Sequence, residues 1–296
     1  EARIEAAKTI GDLEQLLIAL QAFRVLDPAC GSGNFLYMGY NGLKDIEATI
    51  LSKIQDRRRS ETLKGQGVFG FVNTNQFFGM DTDPFAVELA RVTLMIARKV
   101  AHDRLGLTEQ ELPLDNLDKN IVQADALFTP WPEADAIIGN PPFLGGKHMR
   151  LNLGDGYIDR VFARFPDVRD SVDFCSYWFR LAHDALKDDG QAGLVATNSI
   201  RHGKSRRATL DYIKQNGGFI GSAVSTKPWS GEANVHVSIV NWSKQEPDSC
   251  RLDDQEVEVI NTSLRSTTDV SEAASLQVSR GYCFQGVIPV GKGFNV

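Results

Sequence analysis

The stretch Val25-Leu26-Asp27-Pro28-Ala29-Cys30-Gly31-Ser32-Gly33-Asn34-Phe35-Leu36 constrains this chain more than any other. The apolar run Phe23 to Leu26 reads as a buried strand. Small residues and two glycines then break it, and an apolar helix restarts from Phe35. A strand, a Gly-rich turn and a helix form a corner where the backbone can approach a ligand and a helix N-terminus presents free N–H groups. No Lys-Ser/Thr pair follows the glycines, and the third glycine of G-x-G-x-x-G is absent. The corner is therefore neither a P-loop nor a dinucleotide loop. An acid, Asp27, stands at its mouth. It repels phosphate and favours a cationic ligand; its plain alternative is to cap the turn.

The rest of the chain alternates strands and helices. Residues 1–21 are helical by the spacing of Ile4, Ala7, Ile10, Leu13, Leu17 and Leu20, with a break and an N-cap at Gly11-Asp12. Strand one covers 23–27, and a helix runs from Phe35 to about Gln55. Arg57-Arg58-Arg59 then complements the helix C-terminus, with a DNA-facing patch as the alternative. Phe77 to Asp81 is a second strand, and Pro84 opens an amphipathic helix, Phe85 to His102. Ile121 to Asp125 and Ala134 to Gly139 are the third and fourth strands. A polar, glycine-containing stretch fills 144–170, and a helix covers 172–187. Ala192 to Thr197 is the fifth strand, followed by a helix over 203–215. Ile220 to Val224 and Val235 to Trp242 close the sheet. This alternation predicts an α/β fold with a doubly wound, mainly parallel sheet and helices on both faces. Ligands of such sheets bind beyond the carboxyl ends of the strands, and Asp27, Asp81, Asp125 and Asn140 each end a predicted strand.

Composition sets the outer bounds. The 296 residues suffice for one large domain with a smaller piece. The organisation reads as a helical segment (1–22), the main domain (23–244), and a polar connector leading into the start of a further domain (245–296). The chain begins without Met and ends inside the apolar, Gly-rich run from Gly281, which points to an excised or processed piece. No run approaches the roughly 18 apolar residues of a membrane helix, and no signal peptide is expected. Cys30, Cys175, Cys250 and Cys283 are scattered with no C-x-x-C pair, so no metal site is expected, and reduced thiols of a cytoplasmic protein are. The net charge of −6 leaves DNA contact to a local patch or a partner domain.

Asp27-Pro28-Ala29-Cys30-Gly31-Ser32-Gly33 resembles the S-adenosylmethionine loop of DNA adenine-N6 methyltransferases, and Asn140-Pro141-Pro142-Phe143 resembles their catalytic loop. Two motifs in this order resemble the gamma-ordered group. The wording Asn140 to Lys147, and Phe284-Gln285-Gly286-Val287, is most similar to MmeI-like (type IIG/IIL) restriction–modification enzymes. The resemblance covers roughly residues 23–242. It implies a Rossmann-like fold, S-adenosylmethionine as cofactor, and double-stranded DNA with a flipped adenine as substrate. It also implies a role in restriction–modification or phage defence, with covalently linked nuclease and target-recognition domains beyond this chain.

Carried onto these residues, the resemblance assigns the cofactor to Asp27, Pro28, Ala29, Gly31 and Gly33, with Asp81 and Thr82 at the ribose and Asp125 and Ala126 at the adenine. Asp81 is preferred to Asp83, which precedes Pro84 and suits an N-cap. An adenine amine is a poor nucleophile because its lone pair is delocalised into the ring. Acceptors on both its hydrogens, the Asn140 side chain and the Pro141 carbonyl held by Pro142, localise that pair. Phe143 offers a stacking face. Flipping requires a second wall, and Trp229 stands ahead of Val235 to Trp242 where the family often carries such an aromatic, whereas Trp178 and Trp242 read as core. Lys147, Arg150, Arg201 and Lys204 belong to two basic clusters that suit phosphate; a solvated surface is their alternative. A methyltransferase acting on a glutamine amide or on RNA, and a module that only binds cofactor or DNA, remain as other readings.

Overall fold

The computed structural model describes residues 2–60, 70–105, 116–168, 172–229 and 235–267. Its strands are β1 Val25–Asp27, β2 Phe77–Asp81, β3 Ile121–Gln123, β4 Ala136–Gly139, β5 Gln191–Thr197, β6 Phe219–Pro228, β7 His236–Ser243, β8 Cys250–Leu252 and β9 Gln255–Val257. They form one sheet in the order β3-β2-β1-β4-β5-β7-β6-β8-β9. The first five pair in parallel, with Val25 opposite both Phe77 and Ala136. β7 runs antiparallel between β5 and β6. Short continuous apolar runs such as Val25-Leu26 are what strands buried on both faces require.

The helices are α1 Ala2–Ala6, α2 Ile10–Ala22, α3 Asn34–Ser60, α4 Pro84–Leu105, α5 Gly146–Leu153, α6 Asp155–Arg164, α7 Ser176–Ala185, α8 Gly203–Arg206 and α9 Tyr212–Gln215. One core cluster joins α2, α3 and α4 to Val25, Phe77 and Ile121. The other joins α6 and α7 to Leu26, Ile137, Leu194 and Val240. Helices thus cover both faces, and Trp178 and Trp242 are buried as expected, the latter stacked on Phe179 at 5.3 Å.

Several boundaries moved for local reasons. The break in the N-terminal helix falls at Thr9, not Gly11-Asp12, because Thr9 and Asp12 close a reciprocal capping box. α3 extends to Ser60, where Arg57 donates to the Ala7 carbonyl and Arg58 pairs with Glu14. Those arginines tie α3 to the α1–α2 junction and to α2. The stretch 144–170 contains two helices, separated at Gly154. Ile158, Val161 and Phe165, three and four residues apart, carried that helical signal. α4 buries Val87, Ala90, Leu94 and Ala97, yet exposes Phe85, Val92 and Ile96, so both of its faces are apolar. A π-helical turn, Arg207–Asp211, links α8 to α9. Of the polar connector, β8 and β9 join the sheet through β6; the run from Gly281 lies outside the described residues. No helix among the described residues is long and apolar enough to cross a membrane.

Candidate active site

The parallel register carries the ends of β3, β2, β1 and β4 to one edge in that order, with Asp125, Asp81, Asp27 and Asn140 at or just beyond them. β1 lies at the topological switch, its neighbours β2 and β4 leading away in opposite directions. The Cys30 N–H donates to the Met80 carbonyl at 2.9 Å, fastening the loop after β1 to β2. Gly33 holds φ +83°, and a Cβ there would lie 2.9 Å from the Ala90 backbone, so only glycine lets α4 pack this close to the loop.

Each of the three acids makes the same local turn. Asp27 Oδ1 accepts from Ala29 N–H at 3.0 Å, Asp81 Oδ1 from Asp83 N–H at 2.9 Å, and Asp125 Oδ1 from Leu127 N–H at 2.9 Å. Turn capping and ligand binding are not exclusive, because a carboxylate has two oxygens and about four acceptor sites. Asp81 Oδ2 takes Gly31 N–H at 3.0 Å, which fixes the glycine loop against β2 and leaves one free lone pair on each oxygen. Asp83 caps α4 through Phe85 N–H, as its position before Pro84 suggests.

Asp27 departs from an open counter-charge. It is 1% exposed, and a Cβ on Gly139 would lie 2.6 Å from its Oδ1. The end of β4 therefore closes over the carboxyl group. Burial pushes its pKa up to about 7; the Ala29 N–H opposes the shift, and the neighbouring Asp81 charge adds to it. Its Oδ2 is buried with no hydrogen-bond partner among the described residues. One residue beyond Gly139, Asn140 Oδ1 is in the same condition. Buried acceptors are nearly always paired. Two orphans on adjoining strand ends mark a place for donors that arrive from outside.

Phe143 meets Trp229 edge to face, ring centroids 6.4 Å apart, and Trp229 keeps 36% of its surface exposed. The aromatic pair thus stands where the Asn140–Phe143 loop faces the end of β6. Ala126 is buried, Pro141 is buried and Pro142 is exposed. Thr82 is exposed, and its carbonyl takes the Gln123 amide at 3.1 Å.

The basic residues divide. Lys147 and Lys204 are exposed. Arg150 is held by Asp155 and Asp159 at 2.9 Å each, and these bonds raise its pKa. Arg201 donates to the Ser263 carbonyl at 3.1 Å and to Thr226 Oγ1 at 2.6 Å, while partial burial lowers its pKa. It binds the protein to itself.

Three residues at the site escaped the sequence reading. Trp178 Nε1 donates to the Pro28 carbonyl at 3.0 Å, so a core tryptophan also anchors the cofactor-type loop. Tyr157 of α6 stands beside Asp125, whose charge and hydrogen bond add to burial in raising the phenol pKa. Asp173 accepts from Leu144 N–H at 3.1 Å, just after the Asn140–Phe143 loop. The available signal was only a polar atom on an apolar helix face for Trp178 and Tyr157, and a lone acid ahead of a helix for Asp173, and neither names its partner. Among the described residues no cluster of His, Cys, Asp and Glu suits a metal ion.

The strand order, the glycine loop after β1 and the Asn-Pro-Pro-Phe segment after β4 define a methyltransferase of the Rossmann-like, S-adenosylmethionine-dependent fold. The profile of the MmeI DNA-methyltransferase domain matches residues 3–253, and the chain belongs to that family. It is 26% identical over 243 residues to DNA methyltransferase A of Bacillus subtilis, covering 77% of this chain and 27% of that protein. A putative type II restriction enzyme and methyltransferase of Methanocaldococcus jannaschii is 32% identical over 109 residues, 37% of this chain and 9% of that one. The type IIL restriction–modification enzyme MmeI, solved in complex with DNA, shares the fold at TM-score 0.73 and 24% identity over 88% of this chain and 38% of its own. The chain thus spans well under half the length of these relatives.

Proposed function

We propose that this chain transfers a methyl group from S-adenosylmethionine to the N6 amine of a flipped adenine in duplex DNA, as the modification part of a restriction–modification or phage-defence protein. The carrying observation is that, among the described residues, Asn140 Oδ1 at the head of Asn140-Pro141-Pro142-Phe143 and Asp27 Oδ2 at the end of the adjoining strand are both buried without a hydrogen-bond partner. S-adenosylmethionine would supply a methyl group on its cationic sulfur: the amine lone pair forms the new N–C bond as the C–S bond breaks, the thioether leaves with that electron pair, and the amine gives up one proton to solvent.

The residues present fit that cofactor. Asp27 Oδ2 accepts from its cationic amino-acid end, and the turn Pro28, Ala29, Gly31, Gly33 borders it. Asp81 has one acceptor site left on each oxygen, matching a ribose diol, with Thr82 alongside. Asp125 and Ala126 meet the adenine edge. On the substrate side, Asn140 Oδ1 and the Pro141 carbonyl accept from the two amine hydrogens, and Phe143 and Trp229 bracket the base. Lys147 and Lys204 remain exposed for phosphate, with Arg150 and Arg201 framing the same edge. The matched family and the two curated relatives, a DNA methyltransferase and a putative restriction enzyme and methyltransferase, support DNA as substrate, and the second supports a linked nuclease; a linked target-recognition domain is part of the same reading.

Nucleoside mass spectrometry on DNA incubated with the protein and labelled S-adenosylmethionine tests the reading. Labelled N6-methyladenine is expected; label on cytosine, or on no nucleoside, overturns it. Asp81→Ala removes the ribose acceptor and two loop bonds, so cofactor affinity by calorimetry falls about tenfold to a hundredfold. An unchanged dissociation constant removes Asp81 from the site. Trp229→Ala loses one stacking wall, roughly 1–3 kcal/mol. The KM for DNA rises accordingly while cofactor affinity stays put, and an unaltered KM sinks the second-wall assignment.

A further inference from the structure

The catalytic loop leaves β4 and then lies outside any ladder, so something else must hold it. Leu144, the residue after Phe143, is gripped at both backbone groups by two consecutive residues. Its N–H donates to Asp173 Oδ1 at 3.1 Å, and its carbonyl accepts from Phe174 N–H at 2.9 Å. Asp173 does more. Its Oδ2 accepts from Thr197 Oγ1 at 2.9 Å at the end of β5, and Thr197 Oγ1 in turn meets Ser199 Oγ at 2.6 Å. Cys175 N–H reaches Oδ1 at 3.4 Å, and the Asp173 N–H donates to Ser205 Oγ on α8 at 3.3 Å. One half-buried carboxylate thus ties together the catalytic loop, the end of β5 and the start of α8. The same segment continues into Trp178, whose indole N–H holds the Pro28 carbonyl.

We propose that Asp173 is the positioning residue of the transfer step: through Leu144 it sets where Phe143 and the Pro141 carbonyl stand relative to the cofactor loop. The inference rests on the reading of residues 140–143 as the catalytic loop. Chemistry favours a carboxylate here, because the groups facing its two oxygens are donors: the Leu144 and Cys175 N–H groups and the Thr197 hydroxyl. Charge-assisted bonds of this kind are shorter and stronger than neutral ones. An asparagine can keep its oxygen toward Leu144 and turn its amide toward Thr197, whose hydroxyl can reverse and accept. Alanine can do neither.

The test is single-turnover methylation of duplex DNA, with the concentration of competent sites counted by cofactor calorimetry. Asp173→Ala is expected to lower the transfer rate per cofactor-binding site by about tenfold to 10²-fold, the cost of a misplaced reacting group, with cofactor affinity unchanged. Asp173→Asn restores most of that rate. Thr197→Val, which cuts the Oδ2 bond and the Thr197–Ser199 contact but leaves the Leu144 bond to Oδ1 in place, falls between the two. A merely structural role would lower stability and the number of competent sites but leave the rate per site intact, and that result overturns the proposal. Equal loss in Asp173→Asn and Asp173→Ala overturns it as well. Asn140→Ala in the same assay separates the two readings. If that variant is active, the catalytic-loop assignment fails; if it is inactive while Asp173→Ala is active, only this inference fails.

Discussion

Asn140→Ala stops methyl transfer without weakening the protein. The rate falls by about 10³-fold, the size of effect seen when one preorganised polar group at a reacting centre is removed. Cofactor affinity holds, because the residues proposed to hold the cofactor lie on the loop after β1 and at the ends of β2 and β3. Stability holds too, and this marks the position as functional. Asn140 Oδ1 is buried without a partner, so its removal relieves a desolvation cost of about 1–3 kcal/mol instead of breaking a bond. Thermal melting beside single-turnover kinetics checks both halves. A variant that transfers at the wild-type rate, or that melts far earlier, contradicts the assignment.

Asp27→Asn moves stability and affinity in opposite directions. The folded protein holds the Asp27 proton to about pH 7, against an ordinary value of 3.8. Below 3.8 both folded and unfolded chains are protonated, and the full stability is present. As pH rises toward 7 the unfolded chain ionises first and stability is lost; above 7 the loss is complete. Asparagine resembles the protonated acid and escapes that loss, less the cost of burying an amide N–H₂. The ligand-free variant is therefore more stable than wild type at pH 8 by about 2 kcal/mol, and the gain vanishes near pH 4. Affinity for the cationic cofactor falls by about tenfold to a hundredfold, the worth of a charged hydrogen bond. In the wild type that affinity rises with pH through 7, as Asp27 ionises. Urea melts at the two pH values, with and without cofactor, separate these effects. A variant less stable at pH 8, or one binding cofactor as tightly as wild type, rules out this account.

Much of this molecule was legible in its sequence. The apolar runs at Val25-Leu26, Phe77-Phe78, Ala136 to Ile138 and Ala192 to Ala196 are short, continuous and bounded by turn residues, so parallel strands and their order of appearance followed from local pattern. The four strand-end polar residues followed as well, because the parallel alternation carries every such strand end to one edge; that all three acids also cap turns did not show in the pattern. Helices α5 and α6 were less legible, since polar residues and Gly154 diluted a stripe that shows only once Ile158 and Val161 have a core to meet.

What tertiary structure alone decided is environment. Sequence placed Asp27 at the mouth of a turn; only the approach of Gly139, more than a hundred residues away, buries that carboxyl group and raises its pKa. Sequence placed Arg150 and Arg201 on the active edge; only the folded chain commits them to Asp155, Asp159, Thr226 and Ser263. Asp173 carried no motif at all, and its reach to Leu144 and Thr197 exists only after β4 and β5 have paired. Periodicity and turn chemistry act between near neighbours and are written locally. Burial, charge and hydrogen-bond partnership depend on which distant segments arrive, and the packed sheet settles that.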